Sequence, residues 1–149
     1  MAFSEGYDAI KSQLGLDIAQ LILDSGDAGI WLWNVQTGET IFNDKWADII
    51  GYSLQELLPV SIETWLSFAH PDDLSKSEQL LNAHFKGDSE RYICEARMKH
   101  KQGHWVKVLD KGKVQSWDEN GNPEWMLGVH IDITEPVSYT HLTLPTNRE

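Results

Sequence analysis

Up to residue 26 the apolar positions recur at three- and four-residue spacing: Tyr7, Ile10, Leu14, Ile18 and Leu21, with Asp8, Lys11, Gln13, Asp17 and Gln20 between them. That period marks one face of an α-helix, so the pattern predicts an amphipathic leading helix. Ser25-Gly26-Asp27 ends it, because glycine tolerates the left-handed backbone found past helix C-termini. Leu16, Ile22 and Leu23 widen the stripe beyond one contact surface. A second subunit is a candidate for the extra surface, with Ile10, Leu14 and Leu21 as the expected dimer-interface residues.

The period then changes. Gly29 to Val35 is short, aromatic and β-branched, Gln36-Thr37-Gly38 is a tight turn, and Glu39 to Asn43 is a second short strand. Both faces of the first strand are apolar. From Asp44 to about Ser89 short helices follow, with Asp44 as the cap of Lys45–Ile50, Gly51 as its stop, and Ser53 as the start of Leu54–Leu58 before Pro59. A further turn runs from Ser61 to Phe68. His70-Pro71-Asp72-Asp73 opens a longer helix through Phe85, since proline suits the first helical turn and carboxylates there meet the positive end of the helix dipole. Its inner stripe is Leu74, Leu81 and Phe85 with small Ser77, and Gly87 ends it.

Strict alternation returns in the second half. Tyr92, Cys94, Ala96 and Met98 occupy one phase, with Arg91, Ile93, Glu95, Arg97 and Lys99 in the other. Lys101-Gln102-Gly103 turns into a strand from Trp105 to Trp117, and residues 118–123 turn again. In the last strand Trp125, Leu127, Val129, Ile131 and Ile133 share one face, and Met126, Gly128, His130 and Asp132 share the other. Two strands, a helical crossover and three strands favour an α+β fold, a five-stranded antiparallel sheet with helices on one face. The leading helix is expected to cover the other face, whose apolar row would otherwise be an exposed patch.

Composition narrows the functional classes. The chain has 149 residues, enough for one domain with its own core. Its net charge of −11 repels phosphate backbones, which disfavours nucleic-acid binding. The basic residues are concentrated in 87–113, seven against four acidic, and read mostly as solvated strand faces. No apolar run reaches the ~20 residues that span a bilayer, so direct membrane contact is not expected. The lone Cys94 forms no internal disulfide, and a cytoplasmic location is the expectation.

Several short motifs fall in a fixed order: Gly29-Ile30-Trp31-Leu32-Trp33, Asn43 ahead of Trp46, Gly51-Tyr52, His70-Pro71-Asp72-Asp73, Gly103-x-Trp105, the turn 118–123, and Asp132-Ile133-Thr134-Glu135. Their order and spacing across about 27–135 resemble the PAS sensory domain with its PAC motif, in the subgroup common in bacterial sensor histidine kinases and diguanylate cyclases. The resemblance implies a domain of 27–135 behind a cap or dimerisation helix at 1–26. It also implies a small pocket in a concave sheet, and a relay through Asp132, Ile133 and Thr134 to an effector domain covalently linked in the parent protein. Residues 136–149 carry two prolines and no heptad pattern, and read as a disordered or foreign tail. Val137 to Leu142 looks like a translated sequencing-library adapter.

Candidate chemistry is sparse. Trp33, Trp46, Tyr92 and Trp105 are candidate pocket walls for an apolar or aromatic molecule, and Cys94 and His130 join them, His130 on the strength of its alternation phase. Cys94 reads better as a small buried hydrophobe than as a nucleophile, because the Asn-Cys-Arg motif of flavin-binding light sensors is absent. His84 lies where haem-binding relatives place their iron ligand, but a lone histidine beside Phe85 is more often filler. His100 and His104 bracket a turn without a third metal ligand. No cofactor is evident, neither haem nor flavin, and no metal site. No nucleophile–base pair or phosphate-binding loop appears, so the expected function is a sensory module, not an enzyme. It binds a small ligand, forms a homodimer, or both; the alternatives are a ligand-free interaction module and a haem- or flavin-bearing sensor.

Overall fold

The computed structural model describes residues 28–134. The predicted leading helix with Ile10, Leu14 and Leu21, and the tail at 136–149, lie outside the described residues.

Strands β1 (Gly29–Asn34) and β2 (Thr40–Phe42) precede helices α1 (Asp44–Ile49), α2 (Leu54–Leu57), α3 (Ile62–Phe68) and α4 (Pro71–Phe85). Strands β3 (Tyr92–Lys99), β4 (Trp105–Trp117) and β5 (Pro123–Asp132) follow. They form one antiparallel sheet in the order β2-β1-β5-β4-β3. The last strand therefore lies at the centre, beside the first.

Local chemistry explains the helical crossover. Asn43, rather than the expected Asp44, caps α1, its side chain accepting the Trp46 N–H at 3.0 Å and the Ile30 N–H at 2.8 Å. The cap thus ties the helix start to β1 as well. Ser53 and Glu56 form a reciprocal capping box at α2. His70 caps α4, its Nδ1 accepting the Asp72 N–H, with Pro71 in the first turn. The junction between α3 and α4 is pinned to β3 by the His70 N–H on the Arg97 carbonyl at 2.9 Å.

The helices cover one sheet face, where Trp31, Phe42, Trp46, Trp65, Tyr92, Met98 and Met126 belong to the main core. Trp46 is 1% exposed, and burying an indole of its size contributes roughly 4–6 kcal/mol as an upper bound. The opposite face carries a second cluster, Ala28, Ile30, Leu32, Ile41, Trp125, Leu127 and Val129, all buried. Among the described residues, no helix is long and apolar enough to cross a membrane.

Candidate ligand-binding site

Between the helices and the sheet lies a cavity of about 430 Å³. That is within the range of about 300–1,000 Å³ typical of small-molecule sites. Its floor comes from the inward phase of the strands, Trp31, Trp33, Thr40, Phe42, Tyr92, Asp110 and His130. Its roof comes from Trp46 on α1, Trp65 and Leu66 on α3, and Ser77, Glu78 and Leu81 on α4, among others. Leu66 and Glu78 are exposed, which places the mouth between α3 and α4.

At the floor, three strands meet at one register, with Trp31 opposite Gly128 and Gly128 opposite Gly112. The two glycines leave room for the Trp31 ring, which a Cβ at either position would strike. The indole lies over the sheet, and its Nε1–H donates to Asp110 Oδ1 at 2.8 Å. Tyr92 donates its hydroxyl proton to Asp110 Oδ2 at 3.1 Å, and its oxygen lies 2.6 Å from the Ser77 hydroxyl. His130 Nε2 stands 3.3 Å from Asp110 Oδ1. A carboxylate only 4% exposed is costly to bury unless such partners compensate it, and here three converge. Burial, and then the negative charge of Asp110, push the Tyr92 phenol far above its ordinary pKa, so it stays a donor.

His130 is 2% exposed and lies between two indoles, its ring centroid 5.5 Å from that of Trp46 and 5.2 Å from that of Trp65. The Asp110 oxygen places a proton on Nε2. Among the described residues Nδ1 then has no hydrogen-bond partner, and neither have the indole nitrogens of Trp33 and Trp46. All three residues line the cavity. Buried polar atoms without partners are rare in folded proteins, and the three residues that carry them here line one space.

Of the six residues expected to form the pocket, Trp33, Trp46, Tyr92 and His130 line this cavity, and Cys94 and Trp105 do not. Cys94 faces inward but packs into the core, and burial raises its thiol pKa, which disfavours the reactive thiolate. Trp105 falls in the outward phase of β4, since Val106 and Val108 point in. It is 40% exposed, with its ring 4.9 Å from His70 and the Lys99 ammonium 4.7 Å above it. His84 is buried outside the cavity lining. Its Nε2 accepts the Val114 N–H, so its Nδ1–H donates to the Ser89 carbonyl, and neither nitrogen has a free lone pair for iron. His100 and His104 stack 4.3 Å apart at their turn. Trp31 and Asp110 are among the wall residues beyond the expected set, with Thr40, Phe42 and Trp65.

Past the cavity, β5 ends in the expected relay segment. The Ile133 N–H bonds to the Lys107 carbonyl at 2.9 Å, the Lys107 N–H to Thr134 Oγ1 at 2.8 Å, and the Thr134 N–H to Asp132 Oδ1 at 2.9 Å. The exit is thereby fastened to β4, three and four residues beyond His130.

A family model described as the PAS fold matches residues 39–130. Among solved structures, the chain is similar to a sensory box histidine kinase/response regulator from Burkholderia thailandensis, at 28% identity over 87% of this chain and 94% of that one, with a TM-score of 0.66. It is also similar to the N-terminal domain of a diguanylate cyclase with PAS/PAC sensor from Marinobacter aquaeolei, at 24% identity over 72% and 95% of the two chains, TM-score 0.60. The PAS domain of the fruit-fly ELK potassium channel shares the fold at 20% identity, covering 80% and 98%, TM-score 0.56. No curated protein matches the sequence significantly.

Proposed function

This chain belongs to the PAS fold family, whose domains are sensory rather than catalytic modules of signal-transduction proteins, and from that premise we propose that it binds a small organic molecule in the cavity. Occupancy is relayed through β5 to Asp132, Ile133 and Thr134, and from there to an effector such as a kinase or cyclase. The observation that carries this reading is the position of His130. It lines the cavity and lies two residues before the end of the strand that leaves it. A ligand that binds one arrangement of His130 better shifts the population of that arrangement, which is all that relay requires.

Indole is a suitable probe for a chamber with aromatic walls. Titrated into isotope-labelled protein, it should move the amide resonances of Trp46, Tyr92 and His130, and with them those of residues 132–134. Leu81→Trp, which fills the chamber from α4, should abolish these shifts while the melting temperature stays within a few degrees. Pocket shifts without any change at 132–134 would sink the relay; no shifts at all would sink the pocket.

Dimerisation is a second, compatible reading, favoured by the outer sheet face. Ile93 and Ile131 are 50% and 38% exposed there, Ile131 next along β5 from the buried row of Trp125, Leu127 and Val129 and Ile93 one strand beyond β4. On this reading residues 1–26 contribute the leading helix to the same interface.

A further inference from the structure

The cavity's charges are of one sign. Asp110 stands at the floor, Glu78 at the mouth, and among the described residues no lysine or arginine lines it. Tyr92 stays a neutral donor, and His130 is the one side chain among the described lining residues that can carry a positive charge. With His130 protonated the lining carries one net negative charge, and with it neutral the lining carries two, so the sign does not depend on the histidine. Asp110 accepts at Oδ1 from Trp31 and at Oδ2 from Tyr92, with His130 Nε2 standing 3.3 Å from Oδ1, so its lone-pair sites are not all taken. Around these carboxylates stand six aromatic residues, Trp31, Trp33, Phe42, Trp46, Trp65 and Tyr92.

We infer that the cavity selects organic cations, an ammonium head on an apolar body, over neutral or anionic molecules of the same shape; the inference rests on the reading of the cavity as a small-molecule site. Aromatic faces attract cations through their quadrupole, most strongly where water is excluded, and aromatic cages are suited to quaternary ammonium groups. An anion entering the same space meets Glu78 and then Asp110, with no fixed cation to receive it. A bare metal ion is poorly served, because the hard cations take six or more oxygen ligands and the walls are mainly indole and phenyl. The whole chain, at −11, adds long-range attraction for positive ligands.

Phenyltrimethylammonium, tert-butylbenzene and benzenesulfonate have nearly the same shape and differ in charge, so they separate the two questions. With the full chain, ligand-observed NMR should rank the cation about tenfold tighter than the neutral probe, with the sulfonate weakest. Glu78 is exposed, so its replacement is expected to spare the fold. Glu78→Gln should reduce the cation's advantage roughly threefold and Glu78→Lys should remove most of it, with the neutral probe unaffected. Equal binding of cation and neutral probe, or tightest binding of the sulfonate, would overturn the charge selection and leave the small-molecule reading standing. Failure of all three probes to bind the folded chain would overturn both.

Discussion

The indole of Trp31 has a place only because two of its neighbours lack side chains. Gly112 and Gly128 are opposite one another on β4 and β5, and a methyl on Gly128 would overlap both the Trp31 ring and the Lys111 carbonyl oxygen. The backbone oxygen cannot swing away, so the strand must shift or the ring must leave Asp110. Gly128→Ala is therefore expected to cost about 3 kcal/mol, the upper part of the range for overpacking, read as a lower urea midpoint at unchanged slope. Much of that cost comes through the ring, so Trp31→Ala should be less damaging in the Gly128→Ala background than in the natural chain. Strict additivity in that double-mutant cycle would show that Trp31 does not rest on the glycines.

At the scale of elements, α4 is joined to β3 by one charged contact of good geometry. Asp73 Oδ2 accepts both the backbone N–H of Arg97 at 2.7 Å and its Nε–H at 2.9 Å, and Oδ1 accepts Nη2–H at 3.0 Å. The Arg97 side-chain bond holds the Asp73 carboxyl below its usual value of 3.8. Its contribution is therefore present above that value and fades as the pH falls through the lower folded one. Because the Arg97 side chain is 40% exposed, solvent screening moderates the effect, and Asp73→Asn should cost about 1–2 kcal/mol at neutral pH. The gap between variant and natural chain should close below about pH 4 in thermal melts. A gap that persists into acid would assign the cost to shape instead of charge.

The same elements show what a sequence discloses. The limits of β4, the proline-led start of α4 and the two faces of β5 follow from period and turn chemistry, which act within a few residues. The cap of α1 does not, because Asn43 and Asp44 are both good caps, and the choice depends on the Asn43 bond to Ile30 across the sheet. The cavity is legible only in part for the same reason. Asp110 stands in the inward phase of β4 between Val108 and Val114, an irregularity visible in the sequence, but its donor Trp31 is 79 positions away. Trp31 itself is hidden by a strand apolar on both faces. Cys94 shows the converse, that an inward position can end in packed core as easily as in a cavity wall.

For the whole molecule, the two faces of the sheet have divided tasks. The inner face holds the cavity. The outer face has an apolar half on β1, β2 and β5, buried, and a mixed half on β3 and β4 where lysines alternate with Ile93 and Leu109. Ile131 stands at the border of the halves, 38% exposed and opposite Leu109, one residue from the end of β5. An isoleucine at that point adds little to the stability of a monomer, since most of the benefit of apolar area comes from removing it from water. It gains more if a second chain covers it, and then the interface adjoins the exit segment that occupancy of the cavity would move. Ile131→Asp should therefore weaken self-association at least about tenfold while changing the unfolding free energy of the dilute protein by only about 0.5 kcal/mol. Leu14→Asp, in the apolar stripe of the leading segment, should act in the same direction. Sedimentation velocity over a concentration series decides the matter. A natural chain that stays monomeric at high concentration, or a dimer that tolerates both aspartates, would remove the outer face from the signalling route and leave the fastened end of β5 as its sole exit.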